Sequence, residues 1–516
     1  MSREEQRFIE SIGRTGQGEA DLQPVLSALR DWLAALGQAF EAAPLPAGGL
    51  QAASPMARRI AALHEDRIHQ ARRREQQWIA LAPARALAQR FEGKLMLLVF
   101  GKFNAGKSSL CNFLAQRFRE RQQAVQYFHL QGGQLVESEE AFHEGATETT
   151  ARLQGVCLGD GLVLLDTPGL HSATGENAAL TQRFLDSADA VLWLTSSTSP
   201  GQVQELDELA RELRRGKPLL PVLTRSDVID EDEVDGQIVK CLHNKSDANR
   251  ADQEADVRAR AAEKLQALGV APHQLKAPVS VSAHVASTAG ADAEAMRGAG
   301  FERLFAALST LLAPALAYRD RKPAEVLLHH LQEDVLAPLQ SQTSPALQDL
   351  QQVLESEQAA LPAQRARIVQ LAWREVLPGV PALLEQHAAT GDVHAVLVHL
   401  QPQLLHAFDR HARAVLDSHV LATPAPVALV LPAGSGYERV ADDLPPSYEK
   451  LYEALSQSVL AALEELADEV AGYCTARMAA LSGAVSVQRA IIEEHARRLA
   501  CIEEQLRPVP EEMAQR

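Results

Sequence analysis

The residues best suited to chemistry form a glycine-rich stretch, Gly101-Lys-Phe-Asn-Ala-Gly-Lys-Ser108, with the spacing GxxxxGK[ST]. Successive backbone N–H groups in such a loop wrap a phosphate, and glycine leaves room for that approach because it has no Cβ. Lys107 would reach the β and γ oxygens of a nucleoside triphosphate, and the Ser108 hydroxyl would bind Mg²⁺. The nucleotide-binding residues predicted in this stretch and directly after it are Gly101, Asn104, Ala105, Gly106, Lys107, Ser108 and Ser109.

The flanking elements are those that a phosphate loop needs. The apolar run Leu95–Phe100 is typical of a buried parallel strand, and it ends directly at Gly101. Residues 110–118 follow the loop and have a helical pattern. A loop between a strand and a helix presents bound phosphates to the helix N-terminus. This context favours a phosphate loop over a chance match of letters.

A second group of candidate residues, Asp166-Thr-Pro-Gly169, follows the apolar run at residues 162–165. A strand there would present the Asp166 carboxylate to Mg²⁺ through a water molecule. It would also bring the Gly169 N–H to the γ-phosphate. A surface turn made of Asp, Pro and Gly is the alternative, and the preceding strand favours the nucleotide role.

Two segments compete to read a guanine base with the pattern [NT]KxD, residues 224–227 and residues 244–247. The second matches the letters better, but residues 237–243 before it form a mixed polar stretch, which we interpret as a helix or loop. The first follows an apolar run, whose end would hold Asp227 against the N1 and N2 hydrogens of guanine. We therefore favour Thr224 to Asp227, with the planar guanidinium of Arg225 stacking on the base instead of the usual lysine.

The last base loop is predicted at residues 279–283, where a backbone N–H of Ser282 or Ala283 would meet the guanine O6. Further apolar runs alternate with helix-like stretches, at residues 162–165, 190–194, 219–223 and 278–281. This alternation predicts an α/β domain with a mostly parallel, doubly wound sheet over residues 94–318.

The rest of the chain shows helical patterns. Apolar residues recur at helical spacing in residues 21–40, and after residue 319 the chain has the pattern of long helices interrupted by prolines. We therefore predict an N-terminal helical segment at residues 1–93 and a C-terminal helical trunk at residues 319–516. Segment 422–447, which is rich in proline and glycine, separates the two halves of the trunk and forms its predicted tip.

Composition limits the partners of this chain. Its 516 residues include 50 Lys and Arg against 67 Asp and Glu, a formal net charge of −17. Such a surface repels nucleic-acid phosphates, so we expect nucleic acid to be a poor partner. The five cysteines have no metal-site or disulfide spacing, and the polar first twenty residues and short apolar runs predict neither a signal peptide nor a membrane span. We expect a cytoplasmic protein.

In order and spacing, the motifs GKFNAGKSS, DTPG, TRSD and VSVSA resemble those of translation-factor-related GTPases. The sequence GKFNAGKSSL, together with the helical segments on either side of the domain, resembles that of the bacterial dynamin-like GTPases. By motif the resemblance covers about residues 94–318, and it implies GTP and GDP as ligands, Mg²⁺ as cofactor and hydrolysis of GTP to GDP and phosphate. It also implies a switch threonine that binds Mg²⁺ and closes over the γ-phosphate. That residue maps best onto Thr150, with Thr147 and Thr149 as alternatives.

The chain departs from this family pattern at Leu170, where many small GTPases carry the glutamine that orients the attacking water. Some related families instead pair two GTPase domains around a monovalent cation, and Asn104 occupies the phosphate-loop position that binds potassium in some of them. The resemblance therefore implies K⁺ and self-association through the GTPase domains. The implied catalytic residues are Asn104, Lys107, Thr150 and Gly169. Segments 117–146 and 228–276 are longer than in relatives, and the sequence assigns them no role.

In dynamin-like proteins the nucleotide cycle swings a helical trunk whose far end touches a membrane. Segment 422–447 has apolar residues that permit such a peripheral contact at the inner face of the membrane, whereas its acidic residues Glu438, Asp442 and Asp443 oppose an anionic leaflet. The resemblance predicts a dynamin-like GTPase that uses GTP to drive conformational change or assembly. The alternatives are a regulatory GTPase of the ribosome-assembly type, acting on an RNA or protein client, and a nucleotide-locked scaffold.

Overall fold

The computed structural model describes residues 2–13, 22–80, 89–102, 104–131, 134–143, 154–166, 187–198, 203–234, 237–438 and 446–507. Five residues to which the sequence assigns a part in the site lie outside these ranges: Thr147, Thr149, Thr150, Gly169 and Leu170.

The structure divides into two compact units, each assembled from separate stretches of the chain. The first, which we call the α/β unit, contains Met1–Leu29, Glu75–Leu331 and Ile502–Arg516, and the second, the helical unit, contains Arg30–Arg74 and Gln332–Cys501. These limits do not coincide with the predicted borders at residues 93 and 318. The second border falls inside one continuous helix, Phe301–His330, here called the connecting helix.

The strands of the α/β unit are β1 (Leu95–Phe100), β2 (Val125–Gln131), β3 (Gln134–Ser138), β4 (Gln154–Leu158), β5 (Leu162–Asp166), β6 (Ala190–Ser196), β7 (Leu219–Thr224), β8 (Asp227–Val234), β9 (Gln237–Asn244) and β10 (Val279–Ser280). Within the described residues, eight of them form one sheet in the order β10-β7-β6-β1-β5-β4-β2-β3. The neighbours from β10 to β5 pair in parallel, and those from β5 to β3 are antiparallel. The predicted α/β domain with a mostly parallel sheet is confirmed.

β1 contributes to both faces of this sheet because successive side chains of a strand point to opposite sides. All six of its residues are buried. Leu95, Leu97 and Val99 belong to one core cluster, and Met96, Leu98 and Phe100 belong to the other. A strand with two covered faces needs a continuous apolar run, which is the pattern that the sequence shows there.

Helices pack against both faces of the sheet. The N-terminal helix is Arg3–Ile12, the phosphate-loop helix is Lys107–Glu120, and the insertion helix is Asp247–Ala267. Other helices that lie wholly in the described part of the α/β unit are Glu205–Arg214, a short 3₁₀ turn at Pro272–Gln274, Ala283–Thr288, Ala293–Gly298 and the connecting helix.

The N-terminal helix packs into the core of the α/β unit. Its Phe8 and Ile12 side chains are almost fully buried, and the Phe8 ring centroid lies 5.8 Å from that of Phe305 in the connecting helix. Ser2 caps the helix by accepting a hydrogen bond from the Glu5 N–H at 3.2 Å. This helix is therefore part of the α/β unit, although the sequence pattern grouped it with the residues up to 93.

The two long segments to which the sequence assigned no role form regular structure. Residues 117–146 contain the hairpin of β2 and β3, which adds two antiparallel strands to one edge of the sheet. Residues 228–276 contain the insertion helix and most of a separate two-stranded ribbon, β8 and β9. The interpretation of residues 237–243 as a helix or loop is wrong. They lie in strand β9, where cross-strand hydrogen bonds to β8 stabilise a polar sequence that lacks apolar alternation.

The helical unit is built from helices that carry apolar stripes. Those that lie in it wholly or in part are Gln23–Ala42, Pro55–Ala80, Ser344–Val376, Val380–His387, Val393–Val415 and Glu449–Leu506, with π-helical turns at Leu331–Leu336 and Leu339–Thr343 and a 3₁₀ turn at Leu377–Gly379. Trp32 is buried, and its indole N–H donates to the carbonyl of His495 at 2.8 Å. The predicted helical character of the chain on either side of the α/β domain is confirmed.

The described part of segment 422–447 runs between helices Val393–Val415 and Glu449–Leu506 without helix or extended strand. Tyr437 anchors it by donating from its hydroxyl to the carbonyl of Leu384 at 2.8 Å, and Val430 is 74% exposed. Asp442 and Asp443 lie outside the described residues. None of the helices in the described ranges combines the length and the apolar character that a membrane crossing requires.

Candidate nucleotide-binding site

The phosphate loop joins β1 to the phosphate-loop helix, and its backbone explains the glycines. Gly101 has φ +154°, and a Cβ there would lie 2.2 Å from the carbonyl oxygen of Leu194 in β6. Gly106 caps the helix in the left-handed conformation, at φ 79°. Asn104 is also left-handed, at φ 62°, a conformation that asparagine adopts more readily than most residues. These three positions fix the path of the loop.

Lys107 folds back across this loop. Its ammonium donates to the carbonyl oxygens of Gly101 at 2.8 Å and Lys102 at 2.9 Å. Burial lowers the pKa of Lys107, and the nearby carboxylates of Asp166 and Glu205 oppose that shift. The ammonium is thus held inside the loop, where phosphate oxygens can replace the carbonyl oxygens as its partners.

Asp166 ends β5 beside the phosphate-loop helix and is completely buried. Its Oδ2 accepts hydrogen bonds from the Ser108 hydroxyl at 2.8 Å and the Gln154 side-chain amide at 2.9 Å. Within the described residues, its Oδ1 is buried without a hydrogen-bond partner. Burial raises the pKa of Asp166, and the bonds from Gln154 and Ser108 and the charge of Lys107 lower it.

These residues fit a magnesium ion. A buried carboxylate oxygen without a partner is costly unless a cation or a donor satisfies it, and Mg²⁺ prefers hard oxygen ligands such as a carboxylate and a hydroxyl. Asp166 and Ser108 supply both beside the phosphate loop. Gln154 was not identified from the sequence, because only the antiparallel register of β4 and β5 places it opposite Asp166.

The favoured base motif lies at the end of β7, next to the phosphate loop. Thr224 is the last residue of β7, and its hydroxyl donates to the carbonyl of Ala105 at 2.7 Å. Arg225 is exposed and left-handed, at φ 53°. Asp227 accepts a short hydrogen bond from the hydroxyl of Ser282, in the predicted last base loop. The structure therefore brings the predicted phosphate and base residues to one edge of the sheet.

The competing segment, residues 244–247, packs against the favoured one. Asn244 lies opposite Asp227 in the ribbon of β8 and β9. The Lys245 backbone N–H donates to the carbonyl of Ser226 at 3.2 Å. The side-chain oxygen of Asn244 accepts from Arg250 at 2.9 Å, whereas Thr224 contacts the phosphate loop. The two segments are thus neighbours in space.

The last base loop begins the helix Ala283–Thr288. Ser282 caps that helix by accepting from the Val285 N–H at 3.2 Å. The Ser282 N–H itself donates to the carbonyl of Ala299 at 3.0 Å. Since one N–H is already used there, Ala283 is the better candidate to meet the guanine O6.

Comparison with known proteins agrees with these motifs. Residues 96–225 match the family described as 50S ribosome-binding GTPase. An uncharacterized protein of Acinetobacter baylyi is 45% identical over 473 residues, which cover 92% of this chain and 92% of that protein.

Several solved structures show weaker similarity. The LeoA bacterial dynamin GTPase from ETEC matches at 13% identity and TM-score 0.28, over 98% of this chain and 97% of that chain. An oligomerised bacterial dynamin pair matches at 14% identity and TM-score 0.30, over 86% and 79%. Elongation factor SelB from Methanococcus maripaludis matches at 13% identity and TM-score 0.23, over 43% of this chain and 34% of that chain.

Proposed function

Since this chain belongs to the same protein family as the Acinetobacter baylyi protein and carries a GTPase domain that includes residues 96–225, we propose that it binds GTP and hydrolyses it to GDP and phosphate. The observation that carries the proposal is the hydrogen bond from the Thr224 hydroxyl to the Ala105 carbonyl. It joins the base motif to the phosphate loop, so that one nucleotide can contact both.

Separate groups of residues are proposed to contact the phosphates and the base of the nucleotide. Residues 101–109 surround the phosphates, with Lys107 neutralising the β and γ oxygens. Asp227 accepts from the N1 and N2 hydrogens of guanine, Arg225 stacks on the base, and the N–H of Ala283 meets O6. The hydroxyl of Ser282 supports this reading because it holds the Asp227 carboxylate in place.

Mg²⁺ is the proposed cofactor, held directly by Ser108 and through water by Asp166, with Thr150 as the proposed switch ligand. The ion supplies positive charge to the β and γ phosphate oxygens. The support on this chain is the unpartnered Asp166 Oδ1, within the described residues, together with the Ser108 hydroxyl beside it. Gly169 is proposed to donate its N–H to the γ-phosphate.

Catalysis is proposed to depend on assembly. Leu170 cannot orient water, so a single GTPase domain lacks a group that many small GTPases use. Asn104, whose left-handed backbone holds it in the phosphate loop, is proposed to bind K⁺ when two GTPase domains pair. Positive charge there would stabilise the transition state.

We propose that this chain uses GTP binding and hydrolysis as dynamin-like GTPases do, to drive a conformational change of the helical part or assembly. A peripheral membrane contact through segment 422–447 is part of this proposal, and the 74% exposure of Val430 supports it. The description of the matching family names the ribosome, so a ribosome-assembly GTPase is the second candidate. The net charge of −17 opposes RNA binding.

Two measurements test the function. In calorimetric titrations of the full chain with GTP, GDP or ATP, in buffer that contains Mg²⁺, we expect tight binding of GTP and GDP and weak binding of ATP. Equal affinity for ATP would contradict the guanine assignment.

Co-sedimentation with liposomes, with and without a GTP analogue, separates the dynamin-like proposal from the ribosomal one. Sedimentation with ribosomes but not with liposomes would reverse that choice.

A further inference from the structure

Arg250 of the insertion helix is buried, with 2% of its surface exposed. A guanidinium is costly to bury unless its N–H groups find acceptors. Its Nε donates to the hydroxyl of Ser226 at 3.0 Å, and its Nη2 donates to the carbonyl of the same residue at 3.0 Å. Nη1 donates to the carbonyl of Gly298 at 2.7 Å, and Nη2 also reaches the side-chain oxygen of Asn244 at 2.9 Å.

One of these acceptors belongs to the favoured base motif, and another lies next to a residue that is hydrogen-bonded to the last base loop. Ser226 lies directly before Asp227 in the favoured base motif. Gly298 lies directly before Ala299, whose carbonyl accepts the N–H of Ser282. The hydroxyl of Ser282 in turn donates to Asp227. The guanidinium therefore closes a ring of hydrogen bonds and backbone links that runs through both loops.

The far side of this ring has little freedom to shift. Gly300 has φ 83°, and a Cβ there would lie 2.1 Å from the carbonyl oxygen of Ser280 in β10. The segment that carries the Gly298 carbonyl is thus packed closely against a strand of the main sheet. Arg250 connects the base motif to a fixed point, and the planar fork of a guanidinium suits such a two-sided connection.

We propose that Arg250 is a positioning residue for guanine recognition, which sets the distance between the Asp227 carboxylate and the last base loop. The inference rests on the proposed function, because it takes residues 224–227 and 282–283 as the guanine site. It also assigns a role to Asn244. Asn244, in the segment that matches the [NT]KxD pattern more literally, accepts a hydrogen bond from the same guanidinium that supports residues 224–227.

The test compares two diphosphates on the full chain, GDP and inosine diphosphate, which lacks the 2-amino group that Asp227 would bind. We expect Arg250→Met to weaken GDP binding by about tenfold, the scale of one hydrogen bond to a charged group. Inosine diphosphate should lose less, so the preference for GDP should fall at least about threefold. Arg250→Lys keeps the charge but has no fork, and it should lower the preference in the same direction.

Arg260→Met is the matched control, since Arg260 lies on the same helix, is exposed, and pairs with Asp256 at 2.9 Å. It should leave both affinities unchanged. In an Asp227→Ala background, Arg250→Met should add little further loss of GDP binding, because the group that it positions is gone.

An equal loss for both diphosphates, additive with Asp227→Ala, would overturn the inference and make Arg250 a general structural residue. If Arg250→Met does not fold, Arg250→Lys decides by the same ratio. A wild-type chain that binds neither diphosphate would overturn the proposed function instead.

Discussion

Arg117, near the end of the phosphate-loop helix, forms a buried ion pair with Glu5 of the N-terminal helix. Nε lies 2.8 Å from Glu5 Oε1, and Nη2 lies 3.1 Å from Oε2, with side-chain exposures of 6% and 0%. The chain thus ties its first helix to the element that begins at Lys107. Removing one partner of such a buried ion pair lowers the stability of the protein, because the charge of the other partner stays buried with less compensation.

We therefore expect Glu5→Ala to lower the free energy of unfolding of the α/β unit by about 1.5–3 kcal/mol, because the buried Arg117 guanidinium then keeps, within the described residues, only the partly exposed carboxylate of Glu120 as an ion-pair partner. Denaturant titration measures the change. Glu10→Ala is the control, since Glu10 is exposed on the same helix and accepts a surface hydrogen bond from Gln6. Equal stability of the two variants would show that the pair contributes nothing.

The base assignment predicts a change of specificity. In Asp227→Asn the side-chain amide replaces one acceptor by a donor, so affinity for GTP should fall by about tenfold or more and xanthosine triphosphate should bind better than GTP. Competition binding with both nucleotides measures this. If Asp247→Asn produces the change and Asp227→Asn does not, residues 244–247 read the base.

His419 predicts a pH dependence of the helical unit. Its side chain is buried, within the described residues both ring nitrogens lack a hydrogen-bond partner, and burial lowers the pKa of His419 below its ordinary value. The unfolded chain therefore binds the proton more readily. The contribution of neutral His419 to the free energy of unfolding is fully present above pH ~6.5. It falls as the pH drops below that value, by at most about 1.4 kcal/mol per pH unit.

Denaturant titrations at about pH 7.5 and about pH 5.5 should show a smaller pH effect for His419→Leu than for the wild type. His399→Leu, at an exposed position, should keep the wild-type difference. Parallel pH curves for wild type and His419→Leu would refute the assignment.

The sequence predicted the parts of this structure that depend on local pattern. β1 and the phosphate loop were predictable because an apolar run and a glycine spacing occur within residues 95–108, and β1 is buried throughout as expected. The ribbon of β8 and β9 was not predicted, because the charged residues at 230–233 show no alternation.

Contacts between distant residues could not be read from the sequence. Glu5 and Arg117 are separated by 112 positions, and neither residue type signals a buried pair. The bond from Gln154 to Asp166 depends on strand register, and the position of Arg250 depends on an insertion that no local motif describes. The sequence therefore identified the residues expected to touch the nucleotide, and the structure identified those that hold them.

The mechanism predicts dependence on assembly and on the monovalent cation. Because Leu170 cannot orient water, turnover per molecule should rise with protein concentration, and it should be at least about tenfold faster in potassium than in sodium. Asn104→Ser should lose the potassium effect, and steady-state phosphate release at several protein concentrations measures both. Turnover independent of concentration and cation would point to a separate activating partner.

The central claim is that this site binds and hydrolyses GTP, and the most direct test is phosphate release from GTP by the full chain. We expect release that requires Mg²⁺ and is lost in Lys107→Ala, which also loses tight GTP binding because the β and γ oxygens lose their ammonium partner. Lys94→Ala, next to the opposite end of β1, should behave as the wild type. Unchanged binding and release in Lys107→Ala would contradict the account, and tight binding without release by the wild type would indicate a nucleotide-locked scaffold.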